Sequence, residues 1–136
     1  MNSSEKLNIS VVIPTYNEVR AIGEVVRGVP RHRVKEVIVV DNGSTDGTAK
    51  KAAAAGARVI QEPRKGYGSA CWAGSQAAYK SDLIVFLDGD RSDDPAQLEH
   101  IVNPIRRLDS GYRIIRRRVW WLRLGYIWVS ALQRST

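Results

Sequence analysis

The stretch Asp82-Leu-Ile-Val-Phe-Leu-Asp88-Gly89-Asp90 decides how this chain folds. Five consecutive apolar residues, Leu83 to Leu87, run into two carboxylates separated by one glycine. A run that is apolar at every position belongs to a strand buried on both faces, as in a parallel sheet. Such a strand cannot end on two close anions without a partner for their charge. Solvent is one partner, and a hard divalent cation that itself carries phosphate is the other. The stretch therefore predicts a metal and nucleoside-diphosphate site at the edge of a sheet.

Working outward, the same strand signal recurs between helical patterns. Ile9-Ser-Val-Val-Ile13 reads as a strand that stops at Pro14. Ile22, Val25, Val26 and Val29 have helical spacing, which predicts an amphipathic helix from about Glu18. Val37-Ile-Val-Val40 is a second buried strand, closed by Asp41-Asn42-Gly43. Thr45 or Asp46 is placed to cap an alanine-rich helix that Gly56 ends. Ala57-Arg-Val-Ile60 is a short strand, and Gly66-Tyr-Gly-Ser69 leads into a small-residue helix through Tyr79. After Leu83–Leu87, Asp94 and Pro95 open a last helix whose stripe is Leu98, Ile101, Val102 and Ile105, with a kink expected at Pro104. Alternation of this kind predicts an α/β fold with a Rossmann-like, doubly wound and mainly parallel sheet. Ligands of such sheets sit beyond the carboxyl ends of the strands, where Asn17, Glu18, Asp41, Asp88 and Asp90 fall.

Composition narrows the function classes. The chain has 136 residues and a net charge of +7. Residues 1–104 carry 13 Lys and Arg against 13 Asp and Glu, so the whole excess lies in residues 105–136, with 8 Arg and Asp109 alone. A neutral body with a basic, Trp-rich tail argues against a nucleic-acid-binding face. Cys71 has no second cysteine to pair with, which fits a reducing cytoplasm. The amino terminus lacks the apolar segment of a signal peptide, and no stretch reaches the roughly 18 apolar residues of a membrane span.

Each candidate residue has an ordinary reading beside the functional one. Asp88 and Asp90 form either a solvated turn or a metal pair, with Gly89 letting the backbone bend close to a ligand. Following a fully apolar strand, the metal reading is preferred. Asp41 is either a turn residue or an acceptor for a base or ribose. Tyr16 could pack on a nucleobase and Glu18 could orient one, but the residues alone favour a helix start capped by Asn17. Arg64-Lys65-Gly66-Tyr67-Gly68 has the basic and glycine residues of a phosphate cradle without a P-loop pattern, and alone reads as an ordinary loop. His32 and His100 are isolated, and Cys71 reads as packed.

Taken in order, Val11-Val-Ile-Pro-Thr-Tyr-Asn-Glu18, Val40-Asp-Asn-Gly-Ser-Thr-Asp-Gly47, Gly66-Tyr-Gly68 and Leu87-Asp-Gly-Asp90 resemble the motifs of family 2 glycosyltransferases. The polyprenyl-phosphate hexosyltransferase type is the nearest in flavour, over about residues 8–108. The resemblance implies the nucleotide-binding half of a GT-A fold, a UDP- or GDP-hexose donor, and Mg²⁺ or Mn²⁺. It implies that Pro14, Tyr16 and Glu18 border the nucleoside, that Asp41 contacts the base, that Gly66 and Gly68 flank the donor, and that Asp88 and Asp90 hold the metal. It also implies transfer of a hexose to an acceptor such as a lipid phosphate. Two positions depart from the family: Asn42 stands where a second Asp is common, and Tyr67 where Lys is common.

After about Leu108 the motifs stop. Relatives continue with a strand ending in Gly-Ser-Arg and then acceptor-binding segments, so a shortened chain is expected: a 1–108 domain and a 109–136 tail. The tail reads as a peripheral anchor for a cytoplasmic membrane face, using Arg116–Arg118, Trp120, Trp121 and Trp128. It reads alternatively as a substitute edge strand plus helix that completes the sheet, and in preference to either as an altered-frame or truncated ending with no selected role. Three functions compete: an active glycosyltransferase, an inactive donor-binding module, and a membrane-surface or nucleic-acid binder working through the tail.

Overall fold

The computed structural model describes residues 7–108, 121–124 and 127–130. Met1–Lys6, Arg116–Arg118 and Trp120 lie outside the described residues, and so do the leader and anchor readings that rest on them. Strands β1 (Ile9–Thr15), β2 (Glu36–Asp41), β3 (Arg58–Gln61) and β4 (Leu83–Phe86) alternate with helices α1 (Ile22–Gly28), α2 (Thr48–Ala54) and α3 (Tyr67–Ala77). A short 3₁₀ turn, Pro95–Gln97, leads into α4 (Leu98–Leu108), and β5 (Trp121–Leu124) and β6 (Ile127–Ser130) follow. The sheet order is β3-β2-β1-β4-β6-β5. The first four strands are parallel, while β6 is antiparallel to β4 and β5 antiparallel to β6. The expected mainly parallel, doubly wound α/β sheet is present.

The sheet divides the apolar residues by the period of two. Ile9, Val11 and Ile13 of β1 pack with Val37, Val39, Val85, α1, Ala52 and α4 on one face. Val12, Ile38, Val40, Ile84 and Phe86 face α3. That helix comes very close to the sheet because Ala70, Gly74 and Ala78 line its inner side. A Cβ on Gly74 would overlap the Cγ1 of Val12, so no larger residue fits there without movement.

Several boundaries differ from the sequence reading for identifiable reasons. β1 continues through Pro14 to Thr15. Val12 bonds toward β4, so Pro14, two residues on, also faces β4, whose pairing with β1 ends at Phe86. The missing proline N–H therefore removes no ladder bond. α1 begins at Ile22, after a turn in which the Glu18 carbonyl accepts from Ala21 and Ile22. Asn17 does not cap it; its φ of 52° places it in a left-handed turn. Asp94 does start the last helix, accepting from the Ala96 amide at 3.0 Å. Residues 121–124 and 127–130 form two strands added to the sheet beside β4, and their Trp, Ile and Val favour β structure; the helix expected beside such a strand falls outside the described residues. No described helix is long and apolar enough to cross a membrane.

Candidate functional site

Strand order reverses between β1 and β4, and an open cleft of about 320 Å³ lies just beyond their carboxyl ends. The chain leaving β1 contributes Pro14, Thr15, Tyr16 and Glu18, and the chain leaving β4 contributes Asp88, Gly89 and Asp90. Tyr67 and Ala70 enter from the start of α3, and Asn42 from the end of β2. The structure thus gathers Pro14, Tyr16, Glu18, Asp88 and Asp90 into one cleft. Asp41, Gly66 and Gly68 are not among its lining residues. Asp41 is buried, and its Oδ1 accepts from the Ser44 amide at 3.1 Å, closing the turn after β2. Gly66 and Gly68 flank Tyr67, and a side chain at either glycine would meet open space.

The wall after β1 is stitched to the loop after β2. Asn17 accepts from the Thr45 amide through Oδ1 at 2.9 Å and donates its own N–H to Ser44 Oγ at 2.8 Å. The Glu18 amide donates to Thr48 Oγ1 at 2.9 Å, and the Val19 amide to Asp46 at 3.2 Å. These bonds hold the backbone while leaving the Tyr16 ring 56% exposed in the cleft. A fixed, open ring is suited to stacking on a planar base.

The wall after β4 is acidic. The Asp88 amide donates to the buried carboxylate of Asp93 at 3.0 Å, and Ser92 donates from its amide to Asp90 at 2.9 Å. Gly89 passes so close to β1 that a Cβ would lie 2.8 Å from Thr15 Cγ2. Burial raises the pKa of Asp88 and the charge of Asp90 raises it further, while hydrogen bonds from Ser92 and Tyr67 pull it back. Burial likewise raises Glu18, followed by repulsion from Asp90, Asp46 and Asp88. Asp90 itself is lowered by the bonds from Ser92. Among the described residues no Lys or Arg lines the cleft, and nearby Arg91 is engaged with Glu24 at 2.7 Å.

This donor set suits a hard divalent cation. Three carboxylates, Glu18, Asp88 and Asp90, line one concavity with like-charge repulsion, and among the described residues no cationic side chain lines it to relieve them. No group of three or more His, Cys, Asp or Glu residues is placed to hold a metal among the described residues. Two protein ligands, with the rest supplied by phosphate and water, is the arrangement Mg²⁺ accepts in phosphate-transfer sites.

Asn42, Tyr67 and Asp93 contribute to the site although the sequence reading gave them no role. Asn42 bonds to a loop more than 20 positions on. Only the Ser-Asp-Asp-Pro run, a helix-start pattern, marked the neighbourhood of Asp93.

Comparison with known proteins agrees with this geometry. The family described as Glycosyl transferase family 2 matches residues 10–121. An uncharacterized glycosyltransferase of Mycobacterium bovis is 37% identical over 131 residues, covering 90% of this chain and 57% of that protein. The glucosyl-3-phosphoglycerate synthase of Mycolicibacterium smegmatis is 37% identical over 114 residues, covering 75% of this chain and 37% of that protein. A crystal structure of glucosyl-3-phosphoglycerate synthase from Mycobacterium tuberculosis in complex with Mn²⁺, UDP and glucosyl-3-phosphoglycerate aligns with a TM-score of 0.65 at 37% identity. That alignment covers 73% of this chain and 39% of the synthase. The chain therefore spans little more than half the length of these curated relatives at most. The family match runs on to residue 121, past the Leu108 limit expected from the motifs.

Proposed function

The chain belongs to glycosyl transferase family 2, and on that premise we propose that its cleft binds a uridine-diphosphate sugar with Mn²⁺ or Mg²⁺ as the donor side of a hexosyl transfer. The observation that carries this reading is the pairing of Asp88 and Asp90 in a cleft that no cationic side chain lines among the described residues, opposite the exposed Tyr16. The mycobacterial synthase complexed with Mn²⁺ and UDP supports the choice of uridine over guanosine.

Asp88 and Asp90 would hold the cation, whose chemistry when bound is to neutralise charge on the departing diphosphate. The remaining work falls to the chain's own groups. Tyr16 and Pro14 offer an apolar border for the nucleoside, and the Glu18 carboxylate lies beside it as an acceptor. Tyr67 lines the same cleft from the start of α3, close enough to Asp88 to offset part of the rise in its pKa. For the acceptor, the motif resemblance favours a polyprenyl phosphate, and the aligned synthase favours a phosphorylated small acid. A lipid-phosphate acceptor would already be anionic and need no protein base, whereas a hydroxyl acceptor would have to give up a proton on attack.

A second reading is donor binding without turnover, since the groups gathered in the cleft all serve the donor side. Thermal-shift titration with UDP and GDP, with and without Mn²⁺, is the first experiment. A Mn²⁺-dependent shift with UDP is expected, and no shift with any nucleotide would sink both readings. Transfer from UDP-glucose to phosphoglycerate or a polyprenyl phosphate then separates them. A shift without transfer or donor hydrolysis leaves the binding module.

A further inference from the structure

We propose that Asn42 is a positioning residue for the donor cleft: its side-chain amide ties the loop of residues 62–66 to the sheet and thereby sets where Tyr67 enters the site. This rests on the donor-binding reading above. Asn42 is 8% exposed, and its side chain uses both kinds of hydrogen-bonding group. Nδ2 donates to the carbonyls of Glu62 and Arg64, both at 2.8 Å. Oδ1 accepts from the Gly66 amide at 2.9 Å. The Asn42 backbone amide donates to the Thr15 carbonyl at 2.9 Å, so the residue joins three segments bordering the cleft.

Only an amide satisfies these partners. It offers two N–H donors and a carbonyl acceptor, and here each of the three is used. An aspartate has the same shape but, when ionised, only accepts. It would keep the Gly66 bond and set its other oxygen against carbonyls with no proton between them, leaving buried acceptors unpaired. Gly66 has a φ of +127°, and the next residue is Tyr67, which lines the cleft together with Asp88. From β2 the remaining bond to this loop is the Glu62 amide to the Asp41 carbonyl at 3.0 Å. Asn42 thus anchors the loop at both ends and its middle.

The test uses Asn42→Asp and Asn42→Ala in the full chain, with UDP and Mn²⁺ as the probe. At pH 8 both variants are expected to bind UDP about tenfold or more weakly than the unchanged protein, the scale of lost buried hydrogen bonds. On moving to pH 5.5 the carboxyl of Asn42→Asp, pressed against two carbonyls, takes up a proton and regains one donor. Its deficit relative to the unchanged protein should then shrink severalfold, while that of Asn42→Ala stays constant. The other titratable and charged groups near this position are Asp41 on its strand, Glu62, Arg64 and Lys65 on the loop, and Glu18, Tyr67, Asp88 and Asp90 along the cleft. All are common to the three proteins and cancel in the ratio.

Hydrogen exchange at the Gly66 amide supplies a readout independent of nucleotide. Protection should fall in Asn42→Ala at both pH values. In Asn42→Asp it should be lower at pH 8 than at pH 5.5 once intrinsic rates are removed. Equal UDP affinity in all three proteins, or an Asn42→Asp deficit that does not change with pH, overturns the inference. If the unchanged protein binds no nucleotide, the donor-binding reading fails, and Gly66 protection alone decides the clamp: unchanged protection in both variants overturns it.

Discussion

The two walls of the cleft are built in opposite ways. The wall after β1 is cross-linked to distant chain: Asn17, Glu18 and Val19 bond to Thr45, Thr48 and Asp46, some 27 to 30 residues away. The wall after β4 is held by its own neighbours, through Ser92 and Asp93, two to five residues on. The first wall has its backbone satisfied by these bonds, and of its side chains Glu18 shares with Asp88 and Asp90 of the second wall a mutual repulsion across the cleft. A satisfied wall can hold a fixed shape for a nucleoside. A repelling wall binds most strongly whatever brings positive charge. The division assigns shape recognition to β1 and β2 and charge recognition to β4.

The largest expected effect comes from removing charge from the second wall. Asp90→Ala should lower Mn²⁺-dependent UDP binding by more than about a hundredfold, beyond the loss caused by an outer partner of a metal ligand. The fold should survive, because Asp90 is exposed and bonds only to Ser92 next to it. Titration calorimetry with far-UV circular dichroism checks both halves. Unchanged affinity would reduce the pair to a solvated turn.

A smaller effect is expected where the walls touch. Gly89→Ala brings a Cβ to 2.8 Å from Thr15 Cγ2. Thr15 cannot turn aside cheaply, because its hydroxyl donates to the Val40 carbonyl at 3.1 Å. Overpacking of this kind costs about 1–3 kcal/mol. Urea unfolding should show that loss, and metal-dependent binding should weaken with it as Asp88 and Asp90 are displaced. A variant as stable as the unchanged protein would mean that the β4 loop yields freely and that the walls are not braced against each other.

The same contrast explains what could be read from sequence. The central strands were legible from their apolar runs, Val11–Ile13, Val37–Val40 and Leu83–Phe86, and the acidic wall was legible because its residues follow β4 directly. The shape of the other wall was not, since it depends on pairs such as Asn42 with Gly66 and Asn17 with Thr45 that no local pattern links. Asn17 illustrates the failure. Its residue type and place before an amphipathic stretch match a helix cap, yet a bond across the fold holds it in a left-handed turn and delays α1 to Ile22. Pro14 failed in the other direction: a residue that ends central strands is accommodated because its neighbour strand has already ended. Tyr67 and Asp93 became visible only once α3 and the β4 loop were placed against the same cleft.

The smallest expected effect tests whether the satisfied wall depends on one carboxylate. Asp46 accepts from the Thr48 hydroxyl and amide and from the Val19 amide, joining the start of α2 to the chain after β1. The Thr48 hydroxyl bond is the main reason its pKa lies below the ordinary value. A carboxyl lowered by folding favours the folded state when ionised. Its contribution is fully present above the pKa of the unfolded chain and is lost as pH falls through the lower, folded value. Asp46→Ala should therefore melt below the unchanged protein at neutral pH, with the gap closing as acid protonates Asp46 in the unchanged protein. Melting curves from pH 7 down to about 3, below the usual range for Asp, would show it. A gap that stays constant across that range would mean the bonds to Asp46 are as strong with the carboxyl neutral, and the cross-linking of this wall would owe nothing to its charge.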